Sequence, residues 1–142
     1  MGYRERAEEI AAVLDGLGGS GVVHPRSRNT PNWAGFVQLF RDGDVINGWQ
    51  LTRRRGEPQS PRWGETYLLT KIRGVHDASL SEFGLQDNLD EAVQAFRDGP
   101  ELSFGHVADG LKINGVEERM FGDVLCHVAE CELTVSLYYA DL

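Results

Sequence analysis

From Val124 to Tyr139 the chain alternates without a break. Leu125, His127, Ala129, Cys131, Leu133, Val135, Leu137 and Tyr139 hold one parity; Val124, Cys126, Val128, Glu130, Glu132, Thr134, Ser136 and Tyr138 hold the other. A period of two sustained over sixteen residues is incompatible with a helix, whose faces repeat every 3.6 residues. It specifies a strand, apolar along one face and turning polar along the other. At about 3.3 Å per residue such a strand reaches roughly 50 Å, where five or six residues are usual. It has to bend at a bulge or project past its neighbours, and it commits the fold to a sheet with a covered face.

Two amphipathic helices are available to cover it. Tyr3, Ala7, Ile10, Leu14 and Leu17 recur at helical spacing, with Arg4, Glu5, Glu8 and Glu9 mostly on the wet side. Asp15-Gly16 and the cluster Gly18-Gly19-Ser20-Gly21 end that helix, since glycine tolerates the left-handed backbone that closes helices. The cluster follows a helix and lacks a Gly-Lys-Ser/Thr sequence, so it is not read as a phosphate cradle. Leu85, Leu89, Ala92, Val93 and Phe96 form the second stripe. Ser79 and Glu82 are spaced as a capping box at its start, Phe83 is placed to staple the first turn, and Asp98-Gly99-Pro100 stops it.

Between the helices, Val22-Val23, Gly35 to Arg41, Val45 to Arg53 and Glu65 to Val75 read as strands, with Arg41-Asp42-Gly43-Asp44 as a hairpin turn. Neither face of the Val45–Arg53 run is uniformly apolar, so both sides are expected to be partly covered. Arg54 to Gly64, with two prolines and two glycines, reads as a mobile hairpin-tip loop. Leu111, Ile113 and Val116 look like a short strand before the last one. These elements predict an α+β fold, a single domain over 1–142: a mostly antiparallel β-sheet with an N-terminal helix and a second helix packed on it, and a long C-terminal strand. The 142 residues, 41% of them apolar, can bury roughly two thirds of their unfolded surface without a metal or disulfide staple. No apolar run approaches the ~20 residues of a membrane span, and the first residues carry no apolar signal segment, which predicts a soluble protein made inside the cell.

The net charge of −8 argues against a generic role on nucleic acid or anionic membranes. It is unevenly spread. His24 to Val75 holds nine basic residues against four acids, +5, which leaves −13 on the remainder. A basic middle in an acidic molecule can meet the acidic face of another copy, because a head-to-tail contact needs two different complementary patches. Arg53, Arg54, Arg55, Arg62 and Trp63 concentrate basic and aromatic character in one place. Such residues anchor protein interfaces, and they also hold phosphate and stack bases; the acidic balance favours the protein partner.

Catalytic patterns are weak. Cys126 and Cys131 lie five apart on a strand, on opposite faces and roughly 16 Å from each other, too far for a disulfide or a shared zinc ion. His127 and Cys131 share a face about 13 Å apart, so a metal site would require His106 and His24 to converge by folding. Cys126 and His127 diverge as strand neighbours, no Gly-x-Ser-x-Gly elbow occurs, His76-Asp77 reads as a turn into a helix, and Glu130 and Glu132 as exposed acids. No catalytic residue, cofactor or metal site is therefore expected.

The run Tyr67-Leu68-Leu69-Thr70-Lys71-Ile72-Arg73-Gly74-Val75, a short acidic turn and the Ser81–Arg97 helix resemble small structural proteins of tailed phages and prophages. Met120-Phe121-Gly122-Asp123-Val124-Leu125-Cys126-His127, running into the alternating strand, is similar to the end of the same proteins. They are of the tail-terminator or tail-completion type, encoded among head–tail joining genes, and the resemblance covers roughly residues 65 to 139. The sequence departs from that pattern in its Arg54–Gly64 loop and at Leu85-Gln86, where an aromatic is more usual. The resemblance implies an α+β domain assembling into a closed ring, usually a hexamer, that caps the tail tube and presents a surface to the head connector. It further implies a virion protein of the tail or neck made in the host cytoplasm, acting without catalysis, with DNA only passing through the ring. Its partners would be copies of itself, the tube protein and the neck protein. A head-closure ring, a tail tube subunit or a small nucleic-acid-binding module using Arg53–Trp63 are the alternatives.

Overall fold

A computed structural model describes residues 2–26, 28, 35, 38–42, 45–59, 62–74, 78–100, 102–121 and 124–138, with the backbone alone at 53–59, 62–63, 78–81 and 121. Helix α1 (Tyr3–Asp15) buries Ala7, Ile10, Ala11 and Leu14, the stripe its spacing predicts. Its first turn is closed by the Glu5 carboxylate, which accepts the Gly2 N–H at 2.9 Å and satisfies one of the amides a helix start leaves open. Helix α2 (Ala78–Arg97) buries Leu85, Leu89, Ala92 and Phe96. It begins one residue before Ser79, which therefore lies inside the first turn and is not the cap. Phe83 is 68% exposed. Gly99, at φ +70°, ends the helix as expected.

The strands are β1 (Val22–His24), β2 (Arg41–Asp42), β3 (Val45–Gln59), β4 (Arg62–Gly74), β5 (Gly105–Phe121) and β6 (Val124–Leu137). They form one sheet in the order β1-β3-β4-β6-β5, with β2 paired to β3. The β1–β3 pair is parallel and the others antiparallel, so the fold is α+β with a mostly antiparallel sheet, as predicted. The alternating segment is β6, inside the sheet between β4 and β5. Tyr67 and Leu111 flank Leu133 in register. The 14-residue strand keeps its regular course because its neighbour takes up the irregularities, with register shifts in β5 at Ala108/Leu111 and Ile113/Gly115.

Three strand expectations are corrected. In the stretch Gly35 to Arg41 the described residues 35, 38 and 39 are helical, and among the described residues only Arg41–Asp42 pairs there, against Ile46 and Val45. The short strand around Leu111–Val116 is a 17-residue strand, concealed in the sequence because the two bulges break its period. The described residues of the Arg54–Gly64 segment are strand, not loop: β3 and β4 stay paired through Arg55↔Thr66, Glu57↔Gly64 and Pro58↔Trp63 to Gln59↔Arg62. Pro58 is compatible with pairing because, among the described residues, β3 has an open side there, where a missing donor costs nothing.

Both helices lie on one face of the sheet over the main core, which joins Ile10 and Leu14 to Trp49, Leu51, Tyr67, Leu69, Leu89, Phe96, Cys131, Leu133 and Val135. A smaller cluster on the other face, at one end, gathers Phe40, Ile46, Ile72, Cys126 and Val128. Gly48 is fixed by that packing: a Cβ there would lie 2.5 Å from Val22 O and 2.7 Å from the Phe40 ring. Beyond that cluster the same face carries Leu68, Thr70, Glu130, Glu132 and Thr134, none of them buried, and the buried polar Thr66 and Ser136. β6 thus turns polar where its second face leaves the small cluster, as its sequence indicates.

Candidate interaction surface

The basic and aromatic residues singled out in the sequence lie on one hairpin. Arg53, Arg54 and Arg55 are on β3, where the register to β4 shifts between Arg53 and Arg55; Arg62 and Trp63 are on β4, opposite Gln59 and Pro58. The two groups share the hairpin at different heights: Arg55 pairs with Thr66, four residues from Arg62, roughly 13 Å along the strand. β1 meets β3 only at Gly48–Gln50, and β6 meets β4 only from Gly64 to Arg73. Among the described residues, then, no strand besides β4 pairs with β3 from Arg53 to Gln59, and the tip beyond Gly64 stands past β6. At the opposite side of the sheet β5 is the last strand. Residues 112–120 are all exposed, including Ile113, Val116 and Met120. Near it, Glu117 pairs with Arg119, Asn114 donates to Glu132 at 3.0 Å, and Glu118 lies 3.6 Å from the buried His127. A third feature is a cleft at the start of α1 lined by Tyr3, Arg4, Glu8, Pro25, Arg26 and Arg28, in which Glu8 pairs with Arg4 at 2.9 Å.

Two buried polar clusters brace these surfaces, and neither was singled out from the sequence. Lys71, fully buried, donates to Gly19 O and Ser20 O at 3.1 Å and to Asn47 Oδ1 at 2.6 Å. Its ammonium stands 5.6 Å from the Trp49 ring centre. Trp49 Nε1 donates to Asn88 Oδ1 at 2.8 Å, and Asn88 Nδ2 to Ser20 Oγ at 3.2 Å. The network sews the glycine turn to β3, β4 and α2. Its carbonyls converge on a cation, the reverse of the amide nest that holds phosphate. Gly21, at φ +69°, has no room for a side chain, since a Cβ would meet Asn47 O at 2.3 Å. Burial pulls the Lys71 ammonium down to about 7, with Arg73 adding to the effect.

The second cluster ties α1 to the base of the hairpin. Arg6 Nη2 donates to Glu65 Oε2 at 3.1 Å, Arg6 Nε lies 2.5 Å from Glu65 Oε1, and Tyr67 OH donates to Glu65 Oε1 at 3.0 Å. Glu65 is 1% exposed. Burial, with the Glu65 charge beside it, raises the Tyr67 hydroxyl above its usual range. A signal for both clusters was present in the periodicity. Arg6 falls three after Tyr3 and four before Ile10, on the apolar stripe, and Glu65, Tyr67, Leu69 and Lys71 share one parity of β4.

The cysteines and histidines are distributed as the strand geometry requires. Cys126 and Cys131 are free and buried in different clusters on opposite faces of the sheet. Apolar burial pushes their thiols up to about 11 and about 12. His24 is on β1 and His106 on β5, at opposite ends of the strand order, and His24 Nε2 is bonded to Leu39 O at 2.6 Å. Among the described residues no group of three His, Cys, Asp or Glu gathers at metal-binding distance, and no helix is long and apolar enough to cross a membrane. His76 and Asp77 lie outside the described residues.

No protein-family model matches this chain, and no curated protein matches it.

Proposed function

We propose that this chain is a structural subunit of the tail-terminator kind, which assembles into a ring, caps a tail tube and offers its other face to the neck. The observation that carries the reading is the pair of open strand edges at opposite sides of one sheet, β3 at Arg53–Gln59 and β5. A subunit with two different open edges is suited to head-to-tail contacts, and such contacts close into rings when the rotation between copies allows. The uneven charge supports it, as do the sequence blocks at Tyr67–Val75 and Met120–His127. On this reading the work is done by surface fit, with no bond made or broken. One face of the ring matches the last tube ring and stops further addition, and the other recruits the connector.

The test is the variant Arg53→Glu, Arg54→Glu, Arg55→Glu, examined by light scattering and electron microscopy alone and with tube subunits. It is expected to keep a wild-type melting profile while losing rings and tail joining. Unchanged assembly removes the hairpin from the interface. Salt-sensitive retardation of DNA by the wild type, lost in the variant, would instead favour the nucleic-acid module.

A further inference from the structure

The β5 edge is the most exposed apolar element of the described residues. A long open strand carrying Ile113, Val116 and Met120 at 39%, 39% and 51% exposure is a template for pairing with another strand, and proteins rarely leave one uncovered. Its sequence also narrows what can cover it. Between Gly105 and Leu137 the β5–β6 hairpin has six acids against two basic residues. A two-fold contact of β5 with its own copy would set one acidic hairpin against another, and like charges across paired strands are destabilising. The open stretch of β3 has the opposite character. From Arg53 to Trp63 the β3–β4 hairpin carries four arginines against one glutamate.

Building on the ring reading above, we propose that the outer edge of β5 from Leu111 to Phe121 is the acceptor for the Arg53–Gln59 edge of β3 in a second copy. The sheet then continues from subunit to subunit. Main-chain pairing over seven residues, roughly 23 Å, supplies the attachment. Glu117 and Glu118, with Glu130 and Glu132 on the adjacent strand, supply the charge that selects the arginine-bearing edge. Each copy offers one donor and one acceptor, so the contact is heterologous and propagates.

The full chain tests this at low salt by light scattering, with circular dichroism melts to confirm folding. The variant Glu117→Arg, Glu118→Arg is expected to be monomeric, or to assemble at least about tenfold more weakly, since like charges then face each other across the contact. Should it fail to fold, Glu117→Gln, Glu118→Gln removes charge while keeping shape and is expected to weaken assembly in the same direction. Combining Glu117→Arg, Glu118→Arg with Arg53→Glu, Arg54→Glu, Arg55→Glu exchanges the two charges and is expected to restore rings. Wild-type assembly by the β5 variant would overturn the proposal and leave the ring reading standing. A folded charge-exchanged protein that stays monomeric would show that the two edges do not meet each other. A wild-type chain that is monomeric both alone and beside tube subunits would remove the ring reading itself, and this assignment with it.

Discussion

Lys71 shows how one residue joins three parts of the chain. Its three acceptors come from the glycine turn and β3, and it stands beside Trp49, which is itself bonded to α2. Because the native ammonium titrates near 7 and an unfolded lysine near 10.5, only the unfolded chain holds this proton between those values. Stability from this site therefore rises with pH across that window and is flat below it. Relative to Lys71→Met, the wild type is expected to gain up to about 1.4 kcal/mol per pH unit between pH 7.5 and 9, measured by urea denaturation; parallel pH profiles would refute it. Above about 9 the buried thiols act the other way. Native Cys126 and Cys131 hold their protons up to about 11 and about 12, where unfolded thiols have lost theirs, so stability falls as pH climbs through that range. Arg6 and Glu65 form the other costly residue pair, in which removal of one partner strands a buried charge.

Among the elements, β6 carries most of the architecture. It lies inside the sheet between β4 and β5, and Ala129, Cys131, Leu133, Val135 and Leu137 on one of its faces enter the main core. Leu133→Ala, at a fully buried position between Tyr67 and Leu111, is expected to cost about 2–5 kcal/mol in chemical denaturation. A loss below about half a kcal/mol would mean that this face is not core. The helices and β6 were legible because their periods run unbroken. β5 was not, since two register shifts scramble its alternation and leave a fragment that resembles a much shorter strand. The hairpin end at 54–64 was hidden for a different reason: local composition there favours turns, and pairing with the partner strand overrides it.

For the molecule as a whole, the charge layout bears directly on assembly. The charge of a basic middle inside a chain of net charge −8 acts on a neighbour through surface ion pairs, and these are screened once the Debye length shrinks. If ring assembly joins the β3 and β5 edges, raising salt from about 50 to about 500 mM should weaken it markedly, mainly through slower association. Sedimentation at the two salt concentrations measures this, and salt-independent assembly would point to an apolar contact that the charges do not steer.

The sequence by itself determined where the two long helices lie, the inward face of the last strand, and the α+β class, because those follow from periodicity, a local property. It also located the arginine-rich stretch, because charge is written directly in composition. Only the tertiary structure decided that β1 joins β3 in parallel, that β5 ends the sheet as an exposed edge, and that Lys71, Arg6 and Glu65 are buried with partners. Those outcomes depend on which distant segments meet. Strand order and the pairing of buried charges are set by contacts between residues dozens of positions apart, and no local pattern encodes them.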